Sequence, residues 1–189
     1  MNRRTLLAAV AGLGLTGGAA YVSLGGADVR DRSASSGTTT ATGSDVADLP
    51  MTVETLSAPG STAGTQQVPV ADTPTVIDLF ATWCVPCKAQ MDALGAVHDD
   101  YGDRVAFVSV TNEQFGDGFS RGDVRDWWVA NDGDWTVGHD PGSNLLRALR
   151  ANGLPFLAIT NAAGEVVWTH RGTASQSTLE REVQRVLDA

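Results

Sequence analysis

Both cysteines of this chain, Cys84 and Cys87, lie in one stretch, Asp78-Leu79-Phe80-Ala81-Thr82-Trp83-Cys84-Val85-Pro86-Cys87-Lys88. The run Thr75 to Phe80 is short and almost continuously apolar, as a buried strand is. After Cys87, the residues Met91, Leu94, Val97 and Tyr101 recur at helical spacing, and Gly102 supplies a stop. The cysteine pair therefore sits where a buried strand turns directly into a helix, with Cys84 at the helix start. Pro86 is tolerated in that first turn because its missing N–H would have had no partner. A buried strand feeding a helix demands a layered α/β arrangement, with apolar residues covered on both sides.

Placement at a helix N-terminus has chemical consequences. The free N–H groups and partial positive charge there favour a thiolate. They lower a cysteine pKa from about 8.5 into the range of roughly 3.5–7.5. Thiolate is the attacking form in disulfide exchange, and Cys-x-x-Cys brings the second sulfur within reach to resolve a mixed disulfide. Competing uses of the pair fare worse. A c-type haem site needs His after the second cysteine, and position 88 is Lys. A zinc site needs about four ligands, and His98, His139 and His170 follow no ligand spacing. A structural bridge across so short a loop constrains the unfolded chain little. From another class, a copper or zinc carrier using Cys84, Cys87 and a histidine is the alternative, since soft thiolates suit Cu(I).

Further strand and helix signals alternate along the chain. Met51–Leu56 and Gln66–Val70 flank a turn region and read as an N-terminal hairpin. Arg104–Val110 reads as a second buried strand, Asp123–Asn131 as a helix carrying Trp127 and Trp128, and Trp135–Val137 as a short strand. The tryptophans are expected in packing. Ser143 can cap a helix running through Leu149. Phe156–Thr160 and Glu165–Thr169 form a strand pair, and Ser175 or Ser177 opens a last helix bearing Leu179, Val183, Val186 and Leu187. A central β-α-β followed by β-β-α predicts a three-layer sandwich: a mixed central sheet with flanking helices and an N-terminal hairpin.

The remainder of the chain is organised differently. Arg3-Arg4 precede an uncharged, apolar, glycine-containing stretch from Thr5 to Ala27. Residues 1–27 are expected to be a twin-arginine-type export signal or a membrane anchor. The stretch is long enough to span a bilayer, so cleavage and retention are both compatible with it. Residues 28–48, rich in Ser, Thr, Gly, Ala and Asp, read as a flexible tether. Residues 49–189 are left as the domain, large enough to bury roughly 70% of its unfolded surface without staples. From Asp45 onward there are 9 Lys and Arg against 20 Asp and Glu, a net −11. Such a surface repels nucleic acid and anionic membranes. Lys88 is the single lysine in the chain, and so acidic, lysine-poor a surface suits a concentrated-salt environment that screens self-repulsion.

Phe80-Ala81-Thr82-Trp83-Cys84-Val85-Pro86-Cys87-Lys88, Gly153-Leu154-Pro155 and the hairpin ahead of them resemble the thioredoxin superfamily. Within it they resemble the exported, membrane-tethered TlpA/ResA-type oxidoreductases, over roughly residues 49–189. The resemblance implies a thioredoxin-like fold and a protein-disulfide reductase with Cys84 as nucleophile and Cys87 as resolving thiol. The redox-active Cys84–Cys87 disulfide would then serve without any other cofactor. It implies that Asp78, six residues before Cys84, is a buried acid assisting deprotonation of Cys87, with a pKa raised by desolvation. Glu113, just after the second buried strand, falls where such proteins often carry an acid near the disulfide. Leu154 and Pro155 match a cis-proline loop that faces the cysteines and pairs with extended substrate, and Trp83 is expected to shield the thiolate. Implied partners are exported protein disulfides, apocytochrome c cysteines among them, and a membrane electron donor of the thiol-transfer type. Two departures stand out. No proline follows Cys87 at the usual helix kink, where Met91-Asp92 stands instead, and Phe156 occupies a position usually held by Thr.

Overall fold

The computed structural model describes residues 49–189. The expected export segment (1–27) and tether (28–48) lie outside the described residues. Among the described residues seven strands form one mixed sheet: β1 (Met51–Thr55), β2 (Gly64–Val68), β3 (Thr75–Phe80), β4 (Ala106–Thr111), β5 (Thr136–His139), β6 (Phe156–Thr160) and β7 (Val166–Arg171). The helices are α1 (Val85–Tyr101), α2 (Arg121–Ala130), α3 (Asn144–Ala148) and α4 (Gln176–Leu187). Strand order is β2-β1-β5-β4-β3-β6-β7. Strand β3 lies parallel to β4 and antiparallel to β6, and the β1–β2 hairpin joins the sheet antiparallel to β5.

Side-chain alternation along the strands divides the core into two layers. Val76 and Phe80 of β3 face Phe107, Val137, Leu157 and Ile159, and this side is covered by Met91, Leu94 and Val97 of α1, Val124 and Trp128 of α2, and Leu179 and Val183 of α4. Ile77 and Leu79 face the other way with Val108, Val110 and Ala158, beneath Leu145 and Leu149. A strand covered on both faces needs the unbroken apolar run seen in its sequence, and every residue of β3 is buried. Each fully buried Leu, Ile or Phe in these layers contributes about 1.5–3 kcal/mol.

The tryptophans meet the packing expectation. Phe80 stacks on Trp127 at 4.9 Å, and Trp128 meets Trp135 edge-on at 5.0 Å. The turn between β1 and β2 comes so close to Asp134 that a Cβ on Gly60, at φ +68°, would lie 2.0 Å from the Asp134 carbonyl carbon. Only glycine fits there.

Two terminal signals work differently from expectation. Ser143 precedes α3 in a left-handed conformation (φ 54°) and its side chain does not cap the helix. Asp140 takes that part: its Oδ2 accepts from the Leu145 N–H at 2.8 Å, and its Oδ1 from Asn144 Nδ2 at 2.9 Å. Gly102 ends α1 with right-handed φ −57°; glycine is required there because a Cβ would lie 2.7 Å from the His98 carbonyl oxygen. At the last helix Ser175 is the cap, its Oγ accepting from the Thr178 N–H at 3.2 Å. Among the described residues no helix is long and apolar enough to cross a membrane.

Candidate active site

Strand register gathers the predicted site residues at one end of the sheet. Leu79 pairs with Phe156, Phe80 with Thr111, and Phe156 with Arg171. The turn Ala81–Trp83 leading to Cys84, the residues following β4, the Leu154–Pro155 loop and the loop after β7 therefore all emerge side by side.

Cys84 is the N-cap of α1, and its Sγ accepts from the Cys87 N–H at 3.2 Å. The two sulfurs form a disulfide, with Cα atoms 5.2 Å apart. Cys84 is 5% exposed and Cys87 1%. Both cysteines are thus buried, Cys84 at the cap being the less so. Trp83 and Val85 flank this point, 72% and 80% exposed. Trp83, expected to shield the thiolate, is largely exposed and lies with Val85 on the rim beside Cys84.

Asp78 points to the same face of the sheet as Val76 and Phe80, the face that α1 covers with Cys87 and Met91. It is 2% exposed. Its Oδ2 accepts from the Ser109 hydroxyl at 3.0 Å, and its Oδ1 has no partner. Burial disfavours the charged form and pushes the pKa up to about 7, partly opposed by the Ser109 bond. A group with this pKa can take up or release a proton near neutrality.

The Leu154–Pro155 bond is cis, as the motif predicts. Pro155 is buried and Leu154 half-buried. The Pro155 carbonyl accepts from the Gly172 N–H at 2.8 Å. Gln90, on the buried face of α1, clasps the same loop from the other side: its Oε1 accepts from the Ala174 N–H at 2.7 Å and its Nε2 donates to the Ala174 carbonyl at 3.2 Å.

Comparison with known proteins agrees with this geometry. Residues 42–187 match the Redoxin family. The chain belongs to that family. Thioredoxin X of the chloroplast of Arabidopsis thaliana is 22% identical over 117 residues, covering 61% of this chain and 50% of that protein. The chain spans about half or less of the length of the curated relatives it matches. StoA from Bacillus subtilis superposes with a TM-score of 0.58 at 20% identity, covering 71% of this chain and 98% of that one. A secreted Mycobacterium tuberculosis disulfide oxidoreductase, described as homologous to E. coli DsbE, gives 0.60 at 18%, covering 72% and 96%. At such identity the likeness to the solved structures is one of fold. In this redoxin domain the Cys84–Cys87 disulfide stands at the N-terminus of α1.

Glu113 of this redoxin domain does reach the site turn, but its carboxylate is occupied. Oε2 accepts from the Thr82 N–H at 2.8 Å and the Thr111 hydroxyl at 2.9 Å, and Oε1 accepts from the Thr82 hydroxyl at 2.7 Å. Glu113 thus clamps the residue two positions ahead of Cys84. Its own backbone is held by His139, whose Nε2 lies 2.8 Å from the Glu113 carbonyl, so that nitrogen carries the proton. His139 is buried, stacks on Phe115 at 3.9 Å and approaches Glu54 Oε2 at 3.5 Å. Hydrogen bonds from Arg121 hold the Glu54 carboxyl below the usual range, against a small opposing effect of burial.

Three of these contributors escaped the sequence reading. Ser109 is a polar residue inside a buried strand, directly opposite Asp78 in register, and the Trp135 Nε1–H donates to its Oγ at 2.9 Å. Gln90 falls on the apolar stripe of α1, three residues after Cys87. His139 is the last residue of the short strand β5, with no motif around it. The first two carried a legible signal, a polar residue at a core-facing position. The histidines do not converge on the cysteines: His98 packs against Phe107 and Trp135, and His170 stacks on Trp168. Among the described residues no group of three or more His, Cys, Asp or Glu converges as a metal site.

Proposed function

We propose that the protein acts outside the cytoplasm as a protein-disulfide reductase, exchanging disulfides with exported proteins. The observation that carries the reading is the Cys84–Cys87 disulfide at the start of α1, with Cys84 as helix cap and the less buried of the two. The Cys84 thiolate attacks one sulfur of a substrate disulfide, expelling one substrate thiolate and leaving a mixed disulfide. Cys87 gives its proton to Asp78 and attacks the Cys84 sulfur, releasing the second substrate thiolate. The enzyme ends oxidised, as the disulfide described above, and two electrons from a membrane donor of the thiol-transfer type restore the dithiol. The pair itself is the redox group, with no further cofactor. Leu154 and Pro155 present the backbone that an extended substrate pairs with, Trp83 offers it an apolar face, and Glu113 holds the turn.

The Val85-Pro86 dipeptide carries no side-chain donor to stabilise the thiolate, which favours a reductant over an oxidant. Export rests on the Arg3-Arg4 segment and on the secreted character of the M. tuberculosis protein named above. Retention by an uncleaved N-terminal anchor and apocytochrome c as a substrate extend the same reading. The test is the reduction potential of the pair in the full chain, equilibrated against graded thiol/disulfide buffers and trapped by alkylation. A two-electron couple near about −270 mV supports a reductase, and one near about −120 mV makes it an oxidant. No reversible couple would overturn the redox reading.

A further inference from the structure

Among the described residues two exposed cations at this end of the sheet make no ion pair, and one of them, Arg171, is held beside the proline loop. Arg171 ends β7 and pairs in register with Phe156, the residue after Pro155. Its side chain lies along the Gly153-Leu154-Pro155 loop, because a Cβ on Gly153 would sit 3.3 Å from the Arg171 Cδ and 3.7 Å from its Cγ. The next residue, Gly172, donates to the Pro155 carbonyl at 2.8 Å. Two positions further on, Ala174 is held by Gln90 of α1. The backbone around Arg171 is thus fixed on two sides, against the proline loop and against the helix that begins at Cys84.

The guanidinium has no such commitment. Arg171 is exposed, and among the described residues it makes no ion pair and no side-chain hydrogen bond. Arg104 and Arg150 are likewise without an ion pair among the described residues, but Arg171 is the one laid along the proline loop, in a chain with 22 Asp and Glu against 13 Lys and Arg. Other arginines find partners: Arg121 with Glu54, Arg125 with Asp126, and Arg181 and Arg185 with Glu182. The acid nearest the site turn, Glu113, is spent on Thr82 and Thr111. Lys88, on the exposed side of α1 just after Cys87, is a second cation without an ion pair among the described residues. An incoming peptide therefore meets Arg171 and Lys88 at this end of a chain that is acidic as a whole.

We propose that Arg171 is a specificity-determining residue, selecting partner proteins that carry a carboxylate beside the cysteine being exchanged. The planar guanidinium suits bidentate pairing with Asp or Glu. An extended substrate lying along the Leu154–Pro155 backbone would place its flanking side chains within reach of this group. The inference rests on the exchange reading above and adds the chemistry of the partner to it.

The test uses the reduced full chain and three disulfide-linked peptide dimers that differ only beside the cysteine, carrying Glu, Ala or Lys. Each turnover consumes one peptide disulfide, releases two peptide thiols and closes Cys84–Cys87. Second-order rate constants are followed by the appearance of peptide thiol. Arg171→Gln should lower the Glu-to-Lys rate ratio about fivefold, the effect of one partly exposed ion pair. Arg171→Glu should lower it further. Arg104→Gln removes the same charge beyond the opposite end of α1 and should leave the ratio as it is in the parent. Raising salt from about 0.1 M to about 1 M should collapse the parent's preference. Equal ratios in the parent and both Arg171 variants, with exchange intact, would overturn this inference alone. Exchange with none of the peptides would overturn the redox reading and this inference with it.

Discussion

Asp78→Asn offers the sharpest test of how the core and the chemistry are linked. Asp78 is buried among apolar side chains with one hydrogen bond, from Ser109, and its pKa lies at about 7 against 3.8 for the free side chain. The folded protein thus holds this proton up to about pH 7, whereas the unfolded chain releases it near pH 3.8. Between those values the native state binds more protons at this site, so the contribution of Asp78 to stability is full below pH 3.8 and is lost as pH rises through the window. At about 1.4 kcal/mol per unit the loss reaches about 4 kcal/mol by pH 8. Asparagine cannot ionise and escapes this loss. The neutral carboxyl already places an unpartnered O–H where Asn would place its N–H, so near pH 4 the two proteins should agree within about 1 kcal/mol. Near pH 8 the variant should be the more stable by about 3–4 kcal/mol. The assay is urea denaturation of the oxidised proteins at fixed salt from pH 4 to 8. The oxidised form keeps the cysteines from titrating, and the difference between the two proteins cancels the histidines. If Asp78 accepts the Cys87 proton as proposed above, the same substitution should also slow the reduced enzyme on the order of 10²-fold. A stability difference that stays constant from pH 4 to 8 would refute the argument that Asp78 is held neutral by burial.

Two further predictions concern the groups that shape the site. Glu113→Ala strands the Thr82 N–H and should cost about 1–3 kcal/mol in the oxidised protein. It should also slow exchange with a peptide disulfide, while Glu113→Gln, which keeps an acceptor, restores most of the rate. Gln90→Leu leaves the Ala174 N–H and carbonyl buried without partners, at a cost of about 2–4 kcal/mol. Native-state hydrogen exchange should then show the Ala174 amide losing its protection.

The local half of this protein was decided by its sequence. A buried run ending at Phe80, a helix stripe through Met91, Leu94 and Val97, and two cysteines at the junction give a strand–turn–helix with Cys84 as cap. These interactions join residues a few positions apart, so they leave a periodic trace that can be read directly. Asp78 was legible for the same reason, as a lone carboxylate in an apolar strand, and so was Pro155, through its motif. The tertiary structure decided what depends on register between distant segments. Ser109 meets Asp78 because β3 and β4 run parallel with those two residues opposite one another. Gln90 finds Ala174 across 84 positions of chain, and the Glu113 carboxylate reaches back to Thr82 across 31. Ser143 looked like a cap because residue type indicates what a side chain can do. Whether it does so depends on the direction in which the surrounding packing turns it, and no pattern in the linear chain records that direction.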